Sequence, residues 1–140
     1  MREHIVTFDY RNITHPETDE PLRDEAASRQ FEAEFSCGIL PGAILAYRCF
    51  EANLKRNLAY YRFITDDSVD DEALSNMLQE ALYDEGALSG EFYMGKRVPY
   101  DVSREEVIVS RRIVMAESEE HAIKLATAGG KVLSCKPVNN

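Results

Sequence analysis

Apolar residues recur along this chain with two periods, that of a strand and that of a helix, and the switches between them mark its elements. HIVTFDY, near the N-terminus, is an apolar, β-branched run that predicts a strand. THPETDEP carries two prolines and predicts a loop. Residues 22–36, LRDEAASRQFEAEFS, suit a helix, yet Phe31, Ala33, Phe35 and Cys37 alternate with polar neighbours as a strand would. GILPG is a break. The following AILAYRCFEANLKRN is open in the same way: a strand running into a turn at LKRN, or a helix from about Pro41. Helix is preferred, because Pro41 suits a first turn and Ala, Leu and Glu are good formers.

The pattern sharpens after residue 57. LAYYRFI predicts a strand. Ser68 is placed as an N-cap, with Asp71 in the capping-box position. Val69, Ala73, Leu74, Met77, Leu78, Ala81 and Leu82 form one helical stripe. GEFYMG gives a short strand or loop. EEVIVSRRIVM gives a strand with Val107, Val109, Ile113 and Met115 sharing a face with Arg111. ESEEHAIKLATAGG gives a helix capped near Ser118 and stopped by Gly129 and Gly130, and KVLSCK a last strand. Strand–helix–strand–strand–helix–strand over 58–138 is the split βαβ pattern. The expected fold is therefore a single α+β domain over 1–140. Its C-terminal part is ferredoxin-like (split βαβ), and an N-terminal strand with a helical or stranded extension (1–57) packs on it. An open sheet edge needs covering, so a homo-oligomer is expected. The topology hosts many unrelated functions and assigns none.

Composition is that of an ordinary globular chain of 140 residues, 44% hydrophobic and 29% charged. No apolar run approaches the roughly 18 residues of a spanning helix, and MREHIVTFDYRN has no signal-peptide core. A cytoplasmic protein without membrane contact is expected. Cys37, Cys49 and Cys135 are odd in number and lack metal or C-x-x-C spacing, so each is expected to be a small buried hydrophobe.

Charge changes the picture more. The net charge is −9, and residues 65–95 hold nine acids and no Lys or Arg, equal to the whole imbalance. Direct nucleic-acid binding needs clustered Lys and Arg and is not expected. Asp66, Asp67, Asp70, Asp71 and Glu72 sit near a helix N-terminus, where negative charge is favoured. Glu80, Asp84 and Glu85 fall at the opposite end, with Glu91 just beyond, where the helix dipole favours cations and no Lys at i+4 offsets them. Residues Asp66, Asp67, Asp70, Asp71, Glu80, Asp84, Glu85 and Glu91 are therefore the expected docking face for a basic, nucleic-acid-handling protein. The expected function is non-enzymatic binding that inhibits or modulates such a partner. Acids in a row can imitate phosphates, as in phage-type inhibitors.

Chemistry-bearing motifs are sparse. GEFYMGKR, from Gly90, has the glycine and lysine spacing of a P-loop. Its loop residues are bulky, Arg97 stands where Ser or Thr is needed, and Pro99 occupies the start of the required helix. His4, His15 and His121 have no ligand spacing, the cluster around Asp66 lacks a calcium-loop glycine, and no nucleophile motif occurs, so no metal, cofactor or catalytic residue is expected. The alternative reading is a small enzyme acting on a cationic metabolite, a sulfonium or amine. Tyr60 and Tyr61 would supply aromatic faces and an acid, and Glu105 or Glu106 a carboxylate.

Overall fold

In the computed structural model, which describes residues 1–105, 110–127 and 131–138, the chain is mixed α+β with two antiparallel sheets and three helices. It divides into two compact units, Met1–Gly95 and Lys96–Asn140.

The first unit runs β1 (Arg2–Asp9), α1 (Asp24–Ser36), β2 (Ile44–Asn53), β3 (Leu58–Thr65), α2 (Asp71–Leu78) and β4 (Glu91–Met94). Its sheet has the order β2-β3-β1-β4, and every neighbouring pair is antiparallel. The βαββαβ succession expected over 58–138 thus occupies residues 2–94. Over 58–138 the strands divide between two sheets, because the N-terminal strand β1 lies between β3 and β4 and takes the hydrogen-bonding edge of each.

Alternation along β1 decides what each sheet face does. Val6 and Phe8 meet Tyr61, Ala59 and Phe63 of β3 and the inward residues of both helices in one cluster. Helix α1 contributes Ala27, Phe31 and Phe35, an i, i+4 series of a helix that takes all but the first two residues of 22–36. Helix α2 contributes Leu74 and Leu78, and a wider π-helical turn, Gln79–Asp84, carries the stripe on to Ala81 and Leu82. The cap of α2 is Asp70, not Ser68: its carboxylate accepts the Ala73 N–H at 2.8 Å.

Residues 44–53 form a strand rather than the preferred helix. They pair along β3 with two register shifts, and positions 45–49 are exposed because β2 is the sheet edge. Propensity yields here to the hydrogen bonds that β3 offers. A short 3-10 turn at Leu54–Arg56 leads into Asn57, which adopts the left-handed conformation (φ 54°) that closes this hairpin.

The second unit runs β5 (Val98–Glu105), β6 (Ser110–Ala116), α3 (Glu119–Ala126) and β7 (Lys131–Pro137), with sheet order β6-β5-β7. Ser118 caps α3 as expected, accepting the His121 N–H at 3.1 Å. The strand β5 was not anticipated. It holds Pro99 near its start, where a missing N–H is tolerated, and then alternates Val98, Tyr100 and Val102 inward. On β6 the inward residues are Val114 and Ala116, whereas Ile113, on the face it shares with Arg111, is exposed. Val107, Val109, Gly129 and Gly130 lie outside the described residues. Among those described, no helix is long and apolar enough to cross a membrane.

Candidate functional site

All eight acids of the expected docking face are exposed, and several hold local bonds. Asp67 pairs with the Met1 amino group at 2.6 Å, which lowers its carboxyl below the usual range. Asp70 is the helix cap. Asp71 accepts from His4 Nδ1 at 2.7 Å. Asp84 accepts from Gln79 at 3.0 Å, and Glu91 accepts from the Tyr93 hydroxyl at 2.7 Å. Among the described residues, none of the eight lies within ion-pair distance of a Lys or Arg side chain. The helix that carries Asp71, and the π-turn that carries Glu80 and Asp84, bury their apolar stripe and leave the acids to solvent.

Of the tyrosine and glutamate set, the first unit holds the two phenols. Tyr60 and Tyr61 are consecutive on β3 and point to opposite faces, with Tyr60 beside Thr7 and Tyr61 beside Val6. Burial first, then the charges of Glu51 and Asp9, pushes the Tyr60 phenol up to about 12, and burial also raises Tyr61. A phenol so high is a poor acid or base at neutral pH. Glu105 lies on the second unit's β5, and Glu106 lies outside the described residues.

The cysteines also depart from expectation. Cys37 and Cys49 are exposed and Cys135 is half-buried; all three are free thiols. Cys37 follows the last turn of α1 and Cys49 lies on the edge strand, positions that alternation of residue type does not distinguish from buried ones.

Two polar arrangements were not legible in the sequence. In the first, the buried His4 ring bridges Asp71 and the Thr65 hydroxyl (Nε2 to Oγ1, 2.8 Å). Hydroxyl, imidazole and carboxylate stand in the order of a nucleophile triad. Thr65, however, is fully buried and donates to the Asp66 carbonyl at 3.1 Å, so the network ties β1, β3 and α2 together. Among the described residues no three His, Cys, Asp or Glu side chains are grouped to hold a metal ion.

The second arrangement lies where β1 ends beside the start of β4. Asp9 stands opposite Glu91 in the register, so both carboxylates project from one sheet face. The nearly buried Asp9 is clasped by Arg11, whose Nε reaches both oxygens (3.2 and 3.0 Å) and whose terminal nitrogen also bonds the second. The Arg11 backbone N–H adds a bond of 3.1 Å. This clasp raises the guanidinium further. Gly90 makes the approach of the strands possible. Its φ is +98°, and an added Cβ would stand 2.1 Å from the Asp9 carbonyl oxygen. Asp9, Arg11, Asn12, Gly90 and Glu91 line a cleft of about 480 Å³. Glu91 is the one member singled out by charge; Asp9 and Arg11 carry no motif, and strand register brings Asp9 to it.

No family model, curated protein or solved structure matches this chain.

Proposed function

We propose that this protein is a non-enzymatic acidic binding protein that inhibits or modulates a basic, nucleic-acid-handling partner through the face formed by α2 and its π-turn. The observation that carries the reading is the exposure of Asp66, Asp67, Asp70, Asp71, Glu80, Asp84, Glu85 and Glu91 with no Lys or Arg partner among the described residues. Exposed acids without a Lys or Arg partner cost little in water and raise both on-rate and selectivity for a positive surface. We read the scaffold of Met1–Gly95 as the ferredoxin-like split βαβ arrangement, a reading supported by its element order and by the strand order β4-β1-β3-β2. The open edge of β2, with Leu45 and Tyr47 exposed, is in keeping with self-association.

A tagged pull-down at moderate salt tests the docking face. Wild type retains a basic partner; Glu80→Lys with Asp84→Lys loses it, while the melting temperature stays within the small range of surface substitutions. Retention by the charge-reversed protein would overturn the reading.

A further inference from the structure

The geometry points to the cleft between the end of β1 and the start of β4 as a binding site for a small organic cation, a guanidinium or a primary ammonium. Its lining brings two carboxylates, Asp9 and Glu91, and one guanidinium, Arg11, to one place, which leaves a single negative charge uncompensated. Like charges directly opposite on neighbouring strands are destabilising. A cleft built for stability alone would replace one of them.

The hydrogen bonds show which group is left for a ligand. Asp9 is saturated: Oδ1 takes the Arg11 N–H and Nε, and Oδ2 takes Nε and the terminal nitrogen. Glu91 is not. Its Oε2 takes the Tyr93 hydroxyl at 2.7 Å, and among the described residues Oε1 has no donor. The Asn12 amide and the Gly90 backbone border the same space and add neutral polar groups. A cation with two or more N–H donors would meet Glu91 Oε1 and close the charge balance. An anion would face the surplus negative charge.

The surroundings carry the same sign. The Tyr93 phenol is pushed up to about 12, first by burial, then by Glu91 and Asp9, and Tyr83 is raised by burial and by the same two carboxylates. The volume of about 480 Å³ is that of a small-molecule site rather than a bare ion site. The cleft shares only Glu91 with the docking face, since neither Glu80 nor Asp84 lines it.

The test is a titration of isotope-labelled protein with n-butylguanidinium, n-butylammonium and, as the anionic control, acetate, followed by backbone amide NMR. The expected result is saturable shifts at Asn12, Gly90, Glu91 and Tyr93 with either cation and none with acetate. Glu91→Gln keeps the acceptor for Tyr93 and removes the charge, and weakens the cation by about tenfold or more. Should that variant lose its native spectrum, Asn12→Ala serves in its place, with the same weakening expected. Absent or unsaturable shifts, or an affinity unchanged in these variants, would overturn the assignment. Glu80→Lys with Asp84→Lys leaves the titration unaltered, so a failed pull-down and a failed titration remain separate results.

Discussion

Helices α2 and α3 are each eight residues long, and each turns two residues at i, i+4 into a core. Those of α2 are Leu74 and Leu78; those of α3 are Ala122 and Ala126. The cores beneath differ accordingly. In Met1–Gly95 the Phe8 ring lies within 6.3 Å of the rings of Phe31, Phe35, Tyr61, Phe63 and Phe92. In Lys96–Asn140 the buried cluster is Tyr100, Val102, Val114, Ala116, Ala122 and Ala126. Spacing alone makes both helices amphipathic, but side-chain size sets what each gains by docking. A buried leucine contributes roughly 1.5–3 kcal/mol, and an alanine with its single methyl much less. Among the described residues, the second core therefore gains less from its helix than the first does.

The widest test of this contrast is truncation at each centre. Phe8→Ala should cost about 3–5 kcal/mol and Val102→Ala about 2 kcal/mol, read by chemical denaturation at constant m-value. Equal losses would mean that the aromatic cluster packs no better than the aliphatic one.

A smaller effect sharpens the comparison, because the caps of the two helices are chemically alike. Asp70→Ala and Ser118→Ala each remove one side-chain bond to a backbone N–H, and each should cost about 1 kcal/mol. Similar values would place the difference between the helices in their buried faces; a much larger cost at Ser118 would show that α3 relies on its cap in place of packing.

The smallest effect at ordinary pH belongs to the first unit's phenols. Tyr60 and Tyr93 are held up at about 12, against an unfolded value of 10. Between those values the folded chain keeps protons that the unfolded chain gives up. Stability is therefore full below pH 10 and falls as the pH rises from 10 towards 12. Tyrosinate absorbance and circular dichroism followed together should show ionisation and loss of structure in that window, and Tyr93→Phe should lessen the dependence. Ionisation of both phenols near 10 without loss of structure would contradict their burial.

How far the sequence was legible depended on whether an element faces one core along its length. HIVTFDY, LAYYRFI and the stripe from Val69 to Leu82 do so, and they were read correctly. In 22–36 two periods competed: Phe31 and Phe35 fit both, and the burial of Ala27 with exposure of Ala33 and Cys37 separates them. The edge strand β2 has five successive exposed residues, so no alternating burial pattern reaches the sequence. In β5, Val98, Tyr100 and Val102 do alternate, and Pro99 within the run masks the strand. Of the candidate cleft, charge counting found Glu91 and missed Asp9, Arg11, Asn12 and Gly90, because a bare acid or glycine has no local signal until strand register places it.

By itself the sequence determined the mixed α+β class, the order of most helices and strands, and the gathering of negative charge near α2. These follow from local periodicity and composition, which act over one or two turns or a few strand residues. The tertiary structure decided which strands share a sheet, that β1 would part β3 from β4, that 44–53 would extend, and that Asp9 would meet Glu91. Those outcomes rest on hydrogen bonds between segments far apart in sequence, and backbone N–H and C=O groups, the same in nearly every residue, write no pattern into the side chains.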